Sequence, residues 1–256
     1  MARLSNRQLP IRRVERAPWC ELGPQSWPGP LPAVQQLLDA GLDLGPATVL
    51  VGENGSGKST LVEGIAMAYG LSPEGGSTHA RHSTRPTESS LGQNLRVVRD
   101  LGASRWGFFL RAETMHGFYT YLEENPSKRG EPRFHELSHG ESFLAVLQSR
   151  FDAPGLYVLD EPESALSFSA CLALVGLLHD LASTGTAQVV VATHSPVVAS
   201  LPGARILELD GDGWHEREWA ELALVDHYRR FLAEPGRYLR HVLDDAPPDD
   251  ASPDDV

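Results

Sequence analysis

The chain has 256 residues, of which 41% are hydrophobic and 22% charged, a composition that suits a globular protein and excludes a disordered one. The formal net charge of -12 argues against a generally nucleic-acid-coating surface. Its longest apolar stretches, around Cys171–Leu178 and Val189–Ala192, fall far short of a membrane span.

The predicted elements run in chain order as follows. Leu9–Ala17 alternates as an edge strand does, Trp19–Pro32 is Pro-rich and turn-like, and Leu31–Leu42 has the spacing of a short amphipathic helix. Thr48–Val51 reads as a buried strand ending at Gly52. From Ser59 onward Leu61, Ile65 and Ala68 share one helical face, and Gly70 with Pro73 stops that helix. Pro73–Glu88 is rich in Gly, Ser, Thr and His and reads as a mobile loop. Trp106–Leu110 is a strand, followed by a mostly helical region to about Arg133 and a helix at Glu141–Phe151. Then come a strand at Leu156–Leu159, a helix at Ala165–Ala182 and a β-branched strand at Gln188–Ala192. Arg205–Asp210 and Trp214–Trp219 form a hairpin around Gly211-Asp212-Gly213, and helices at Leu222–Leu232 and Arg237–Leu243 close the fold. Strands alternating with helices of this length predict a mostly parallel α/β sheet covered on both faces.

After residue 243 the chain carries Asp244, Asp245, Asp249, Asp250, Asp254 and Asp255 with three prolines, so 244–256 is expected to be a disordered acidic tail. The N-terminus has arginines with no apolar stretch behind them and does not read as a secretory signal. Cys20 and Cys171 lie far apart without metal-ligand spacing and read as two reduced thiols of a cytoplasmic protein. Arginine outnumbers lysine twenty to two, so the position of the two lysines, Lys58 and Lys128, carries information.

Lys58 falls in Gly52-Glu53-Asn54-Gly55-Ser56-Gly57-Lys58-Ser59, followed by Thr60: the G-x-x-x-x-G-K-[ST] pattern between a predicted strand and a predicted helix. Glycines there let backbone N–H groups close around phosphate oxygens, and the helix start adds a favourable dipole. Lys58 is expected to reach the β- and γ-phosphates, and the Ser59 hydroxyl to ligate Mg²⁺. A second apolar strand, Leu156-Tyr157-Val158-Leu159, delivers Asp160 and Glu161 to the carboxyl edge of the sheet. Asp160 fits a Mg²⁺-orienting role and Glu161 that of the general base for water. Leu137-Ser138-His139-Gly140-Glu141 precedes a helix, so Ser138, Gly140 and Glu141 are expected to form a second phosphate-binding corner, in a pattern that also suits a helix cap.

These motifs, in this order, resemble the nucleotide-binding domain of ATP-binding-cassette proteins. Gly52–Ser59 matches Walker A, Leu137–Glu141 the signature and Leu156–Asp160 Walker B; Ser164–Ser167 is similar to the D-loop and His194 to the switch histidine. The resemblance implies one ATPase domain over 1–243, a helical subdomain at roughly 85–150 and an N-terminal antiparallel β portion. It also implies ATP and Mg²⁺ as ligands, a head-to-tail homodimer with ATP between Walker A of one copy and the signature of the other, and contact of His194 with the γ-phosphate. The text departs from the family at His139, where glycine is usual, and at the Mg²⁺-lining glutamine. There Glu113 is the substitute expected, with an exposed helix-start acid as the other reading. Trp27 stands where an adenine-stacking aromatic could lie or where a loop tryptophan could be buried. The particular wording of the motifs resembles small stand-alone bacterial ATPases of the ABC/AAA-like type. Three functions are compatible: an ATP-driven switch on an unknown protein partner, a DNA-linked ATPase working with a nuclease, and the ATPase subunit of a membrane transporter without direct membrane insertion.

Overall fold

A computed structural model of the chain describes residues 8–73, 75–77, 90–111 and 153–243. Its centre is a seven-stranded sheet in the order β10-β9-β3-β8-β7-β6-β4. Those strands are β3 (Ala47–Gly52), β4 (Gly76–Ser77), β6 (Gly107–Arg111), β7 (Leu156–Asp160), β8 (Gln188–Thr193), β9 (Arg205–Asp210) and β10 (Gly213–Glu216). The five inner strands β9, β3, β8, β7 and β6 are mutually parallel, whereas β10 and β4 close the two edges antiparallel. β3, β7 and β8 are strands because Val, Leu and Ala dominate them, and even their polar members Thr48, Asp160, Gln188 and Thr193 are buried, the pattern of parallel strands covered on both faces.

Side chains alternate between the two faces, as a period of two requires. Val49, Val51, Tyr157, Leu159, Val189 and Val191 join one core with α3 (Phe168–Ser183), the short α4 (Pro196–Ala199) and the first turn of α5 (Ala223–Ala233). Leu50, Val158, Val190 and Leu207 join the other, with α1 (Pro32–Ala40), α2 (Lys58–Tyr69) and the small second sheet. α6 (Pro235–Leu243) follows α5.

The second sheet has the order β2-β1-β5, built from β1 (Arg13–Arg16), β2 (Leu42–Asp43) and β5 (Leu95–Val98), all antiparallel. The strand expected at the sheet edge near Leu9–Ala17 is therefore its middle strand. Two short partners that carry almost no pattern of their own flank it. Gln188 ties the N-terminal segment to the main sheet: its Oε1 accepts from Ile11 N at 2.8 Å, and its Nε2 donates to the Ile11 and Gly45 carbonyls.

Parallel strands bring their carboxyl ends to one edge. Register places Val51 beside Thr193, Ala192 beside Asp160, and Asp160 beside Arg111. Of the helical subdomain expected at 85–150, the described part, 90–111, holds β5 and β6; the helical region to Arg133, the helix at 141–151 and the acidic tail lie outside the described residues.

Candidate functional site

At the end of β3 the chain turns sharply through Gly52–Ser59. A Cβ on Gly52 would lie 2.5 Å from the Leu209 carbonyl oxygen and 2.8 Å from Ser56 Oγ, so only glycine passes between β9 and the loop. Gly57, at φ +98°, takes the left-handed conformation that hands the loop over to α2. Lys58 is 3% exposed, and its Nζ donates to the Gly52 and Glu53 carbonyls at 2.9 and 3.0 Å. Burial pushes its pKa down, while the charges of Glu161, Asp160 and Glu163 pull it back up. Ser56 Oγ is buried and has no hydrogen-bond partner. An orphan hydroxyl inside a loop of this shape fits a phosphate oxygen.

β7 supplies the acidic half. Asp160 is 6% exposed, and its Oδ1 accepts from the Ser59 hydroxyl at 3.0 Å. A hydroxyl and a carboxylate oxygen meeting at a phosphate loop are the hard donors Mg²⁺ takes alongside substrate phosphates. Among the described residues no group of three His, Cys, Asp or Glu could hold a metal ion. Glu161, the next residue, sits at φ +50°, and it alone of the described non-glycine residues has positive φ. The conformation is pinned from both sides: Glu161 N donates to the Ala192 carbonyl at 2.9 Å, and Ser164 donates N–H and hydroxyl to the Glu161 carbonyl. Its cost aims the carboxylate, because Glu161 Oε1 stands 3.2 Å from His194 Nε2. That approach is of ion-pair distance without the alignment of a hydrogen bond, since the buried Nε2 has no aligned partner.

His194 leaves the end of β8, and its backbone is held by a residue the sequence reading passed over. Glu163 Oε1 accepts from His194 N at 2.6 Å and from Ser195 N at 3.1 Å. Ser195 then caps α4 by accepting from Val197 N and Val198 N. Arg111, at the end of β6, was passed over as well. Its Nη1 donates to Glu63 Oε2 at 2.8 Å, and its Nε lies 3.7 Å from Asp160 Oδ2. Part of the signal for Arg111 was present: it ends a strand that points at the site, and its partner Glu63 lies one helical turn from Ser59.

Of the expected site residues, Gly52–Thr60, Asp160, Glu161 and His194 come together at this edge. Ser138, Gly140, Glu141 and Glu113 lie outside the described residues. Trp27 is 65% exposed, which corrects the reading of it as a buried loop tryptophan. A cleft of about 560 Å³ opens beside the loop, lined by Glu53, Asn54, Gly55, His194, Asp210 and Tyr228 among others. An apolar cleft of about 840 Å³ adjoins it on the far side of His194, against Phe168, Cys171 and Trp219. No helix of the described residues is long and apolar enough to cross a membrane.

Residues 111–200 match the family model described as "AAA domain, putative AbiEii toxin, Type IV TA system". The cytochrome c biogenesis ATP-binding export protein CcmA of Paramagnetospirillum magneticum is 31% identical over 191 residues, which are 66% of this chain and 83% of that protein. The aliphatic sulfonates import ATP-binding protein SsuB 2 of Rhodococcus jostii is 30% identical over 179 residues, 68% of this chain and 71% of its own. The xylose import ATP-binding protein XylG of Brucella abortus is 26% identical over 80% of this chain, which spans only 44% of that relative's length. Among solved structures, the SMC head domain from Thermotoga maritima superposes over 81% of this chain and 98% of its own at a TM-score of 0.44 and 16% identity, too loose a fit to bear on function.

Proposed function

The chain belongs to the ATP-binding-cassette family of ATPases, and on that premise we propose that Gly52–Thr60 holds the phosphates of ATP while Glu161 and His194 act on the attacking water. The observation that carries the reading is the convergence of Lys58, Ser59, Asp160, Glu161 and His194 on one sheet edge. Backbone N–H groups of the loop and the Lys58 ammonium offset the charge of the β- and γ-phosphates. Glu161 takes a proton from water as the water oxygen bonds to the γ-phosphorus and the bond to the bridging oxygen breaks, leaving ADP and phosphate. His194, facing Glu161 at 3.2 Å, orients that carboxylate and is placed to contact the γ-phosphate. Ser59 and Asp160 would hold Mg²⁺, which when bound screens the phosphate charge. Glu163 positions His194 by gripping its backbone N–H.

Each site is half of a pair in this reading. The Leu137–Glu141 stretch of a second copy covers the ATP, so that ATP binding closes a homodimer and hydrolysis opens it, working on a partner protein. Glu161→Gln with saturating Mg·ATP is expected to double the mass seen by light scattering; a variant that stays monomeric contradicts the dimer. The names of the relatives favour one alternative, an ATPase subunit serving a membrane partner. In that case the native chain pellets with membranes at low salt and is released by carbonate, whereas full recovery in the supernatant speaks against it.

A further inference from the structure

Arg111 places a permanent positive charge beside the carboxylate that would hold the metal. β6 and β7 run in register, Arg111 beside Asp160, so the arginine emerges at the same sheet edge. Its guanidinium reaches across to α2. Nη1 donates to Glu63 Oε2 at 2.8 Å and to the Pro73 carbonyl at 3.2 Å, while Nε approaches Asp160 Oδ2 at 3.7 Å. Asp160 is thus engaged on both oxygens, by Arg111 on Oδ2 and by the Ser59 hydroxyl on Oδ1. The three charged side chains are 21%, 12% and 7% exposed for Arg111, Glu63 and Asp160, so water screens them weakly. A guanidinium has five donors and no acceptor, so it cannot ligate a metal as a glutamine carbonyl oxygen can.

We propose that Arg111 is a positioning residue that opposes divalent-metal binding by Asp160, so that the metal is held firmly only together with nucleotide phosphates. The clamp on Glu63 fixes the guanidinium between helix and strand, and the charge on Asp160 is partly neutralised until phosphate oxygens add their own. This inference rests on the Mg·ATP reading of the site and deepens it.

The test uses the full chain and Mn²⁺ as a paramagnetic probe, titrated by electron paramagnetic resonance with and without the non-hydrolysable analogue AMP-PNP. Wild type is expected to bind free Mn²⁺ on the order of tenfold more weakly without AMP-PNP than with it. Arg111→Gln is expected to tighten nucleotide-free Mn²⁺ binding by roughly tenfold, and Arg111→Lys, which keeps the charge, to stay within about threefold of wild type. A merely structural strut would lower the unfolding temperature of Arg111→Gln and leave its Mn²⁺ affinity unchanged; that result, or weaker Mn²⁺ binding, overturns the proposal. Should Arg111→Gln not fold, the wild-type comparison still decides, because equal Mn²⁺ affinity with and without AMP-PNP overturns it too. Absence of any Mn²⁺·AMP-PNP binding by wild type would instead count against the ATPase reading itself.

Discussion

The loop after β3 and the turn after β7 leave the same sheet edge, one strand apart, and are built on opposite plans. Along Gly52–Ser59 the work falls mainly to the backbone, so glycines stand where φ is positive or space is missing, and left-handed geometry costs little. At Asp160–Glu163 the work falls to carboxylates, and a side chain is required at the one position where the backbone is strained. Glu161 therefore accepts φ +50°, at a cost of about 1–2 kcal/mol, which the hydrogen bonds to Ala192 and Ser164 hold in place. On the proposed reading, strain marks the position where the chemistry needs an atom that glycine lacks.

The largest expected effect strikes the loop's one positive charge. Lys58→Ala should lose nucleotide affinity on the order of a hundredfold in a fluorescent-nucleotide titration, and unchanged affinity would remove the loop from the site. Next comes the close approach at Gly52. Gly52→Ala should destabilise the protein by about 2–3 kcal/mol in urea, since the added carbon meets a backbone carbonyl rather than a yielding side-chain tip. Both turns then predict the same sign for the exchange of glycine and alanine. Replacing glycine by alanine at Gly57 should cost about 1 kcal/mol, and Glu161→Gly should likewise be more stable than Glu161→Ala by about the same amount. Equal stability of the two Glu161 variants would show that the turn is not strained.

A smaller effect concerns pH. Burial lowers the Lys58 pKa below its ordinary 10.5, so between the folded value and 10.5 the unfolded chain binds more protons. Stability of nucleotide-free wild type should therefore rise, relative to Lys58→Met, as pH climbs through the folded value towards 10.5. A difference between the urea midpoints of the two proteins that stays flat with pH contradicts the desolvated ammonium.

Much of this was legible before any coordinates. Thr48–Val51, Leu156–Leu159 and Gln188–Ala192 are apolar apart from Thr48 and Gln188 at their starts, and their carboxyl ends announce Gly52, Asp160 and His194. β2, β4 and β5 were not legible, because strands of two to four residues are specified by their partners rather than by their own pattern. Arg111 and Glu163 escaped for a different reason. Each acts through a residue distant in sequence, Asp160 in one case and the His194 backbone in the other, and only the sheet register brings those together. The helix expected from Ala165 begins at Phe168, after a 3-10 turn at Pro162–Ala165 and a cap at Ser167 that accepts from Ala170 N.

The central claim is that Glu161 acts on water while the loop holds ATP, and phosphate release by wild type and Glu161→Gln, with nucleotide binding measured in the same samples, tests it most directly. The account predicts binding within about threefold of wild type and release slowed by at least about a hundredfold. Release at near the wild-type rate with binding intact would contradict it.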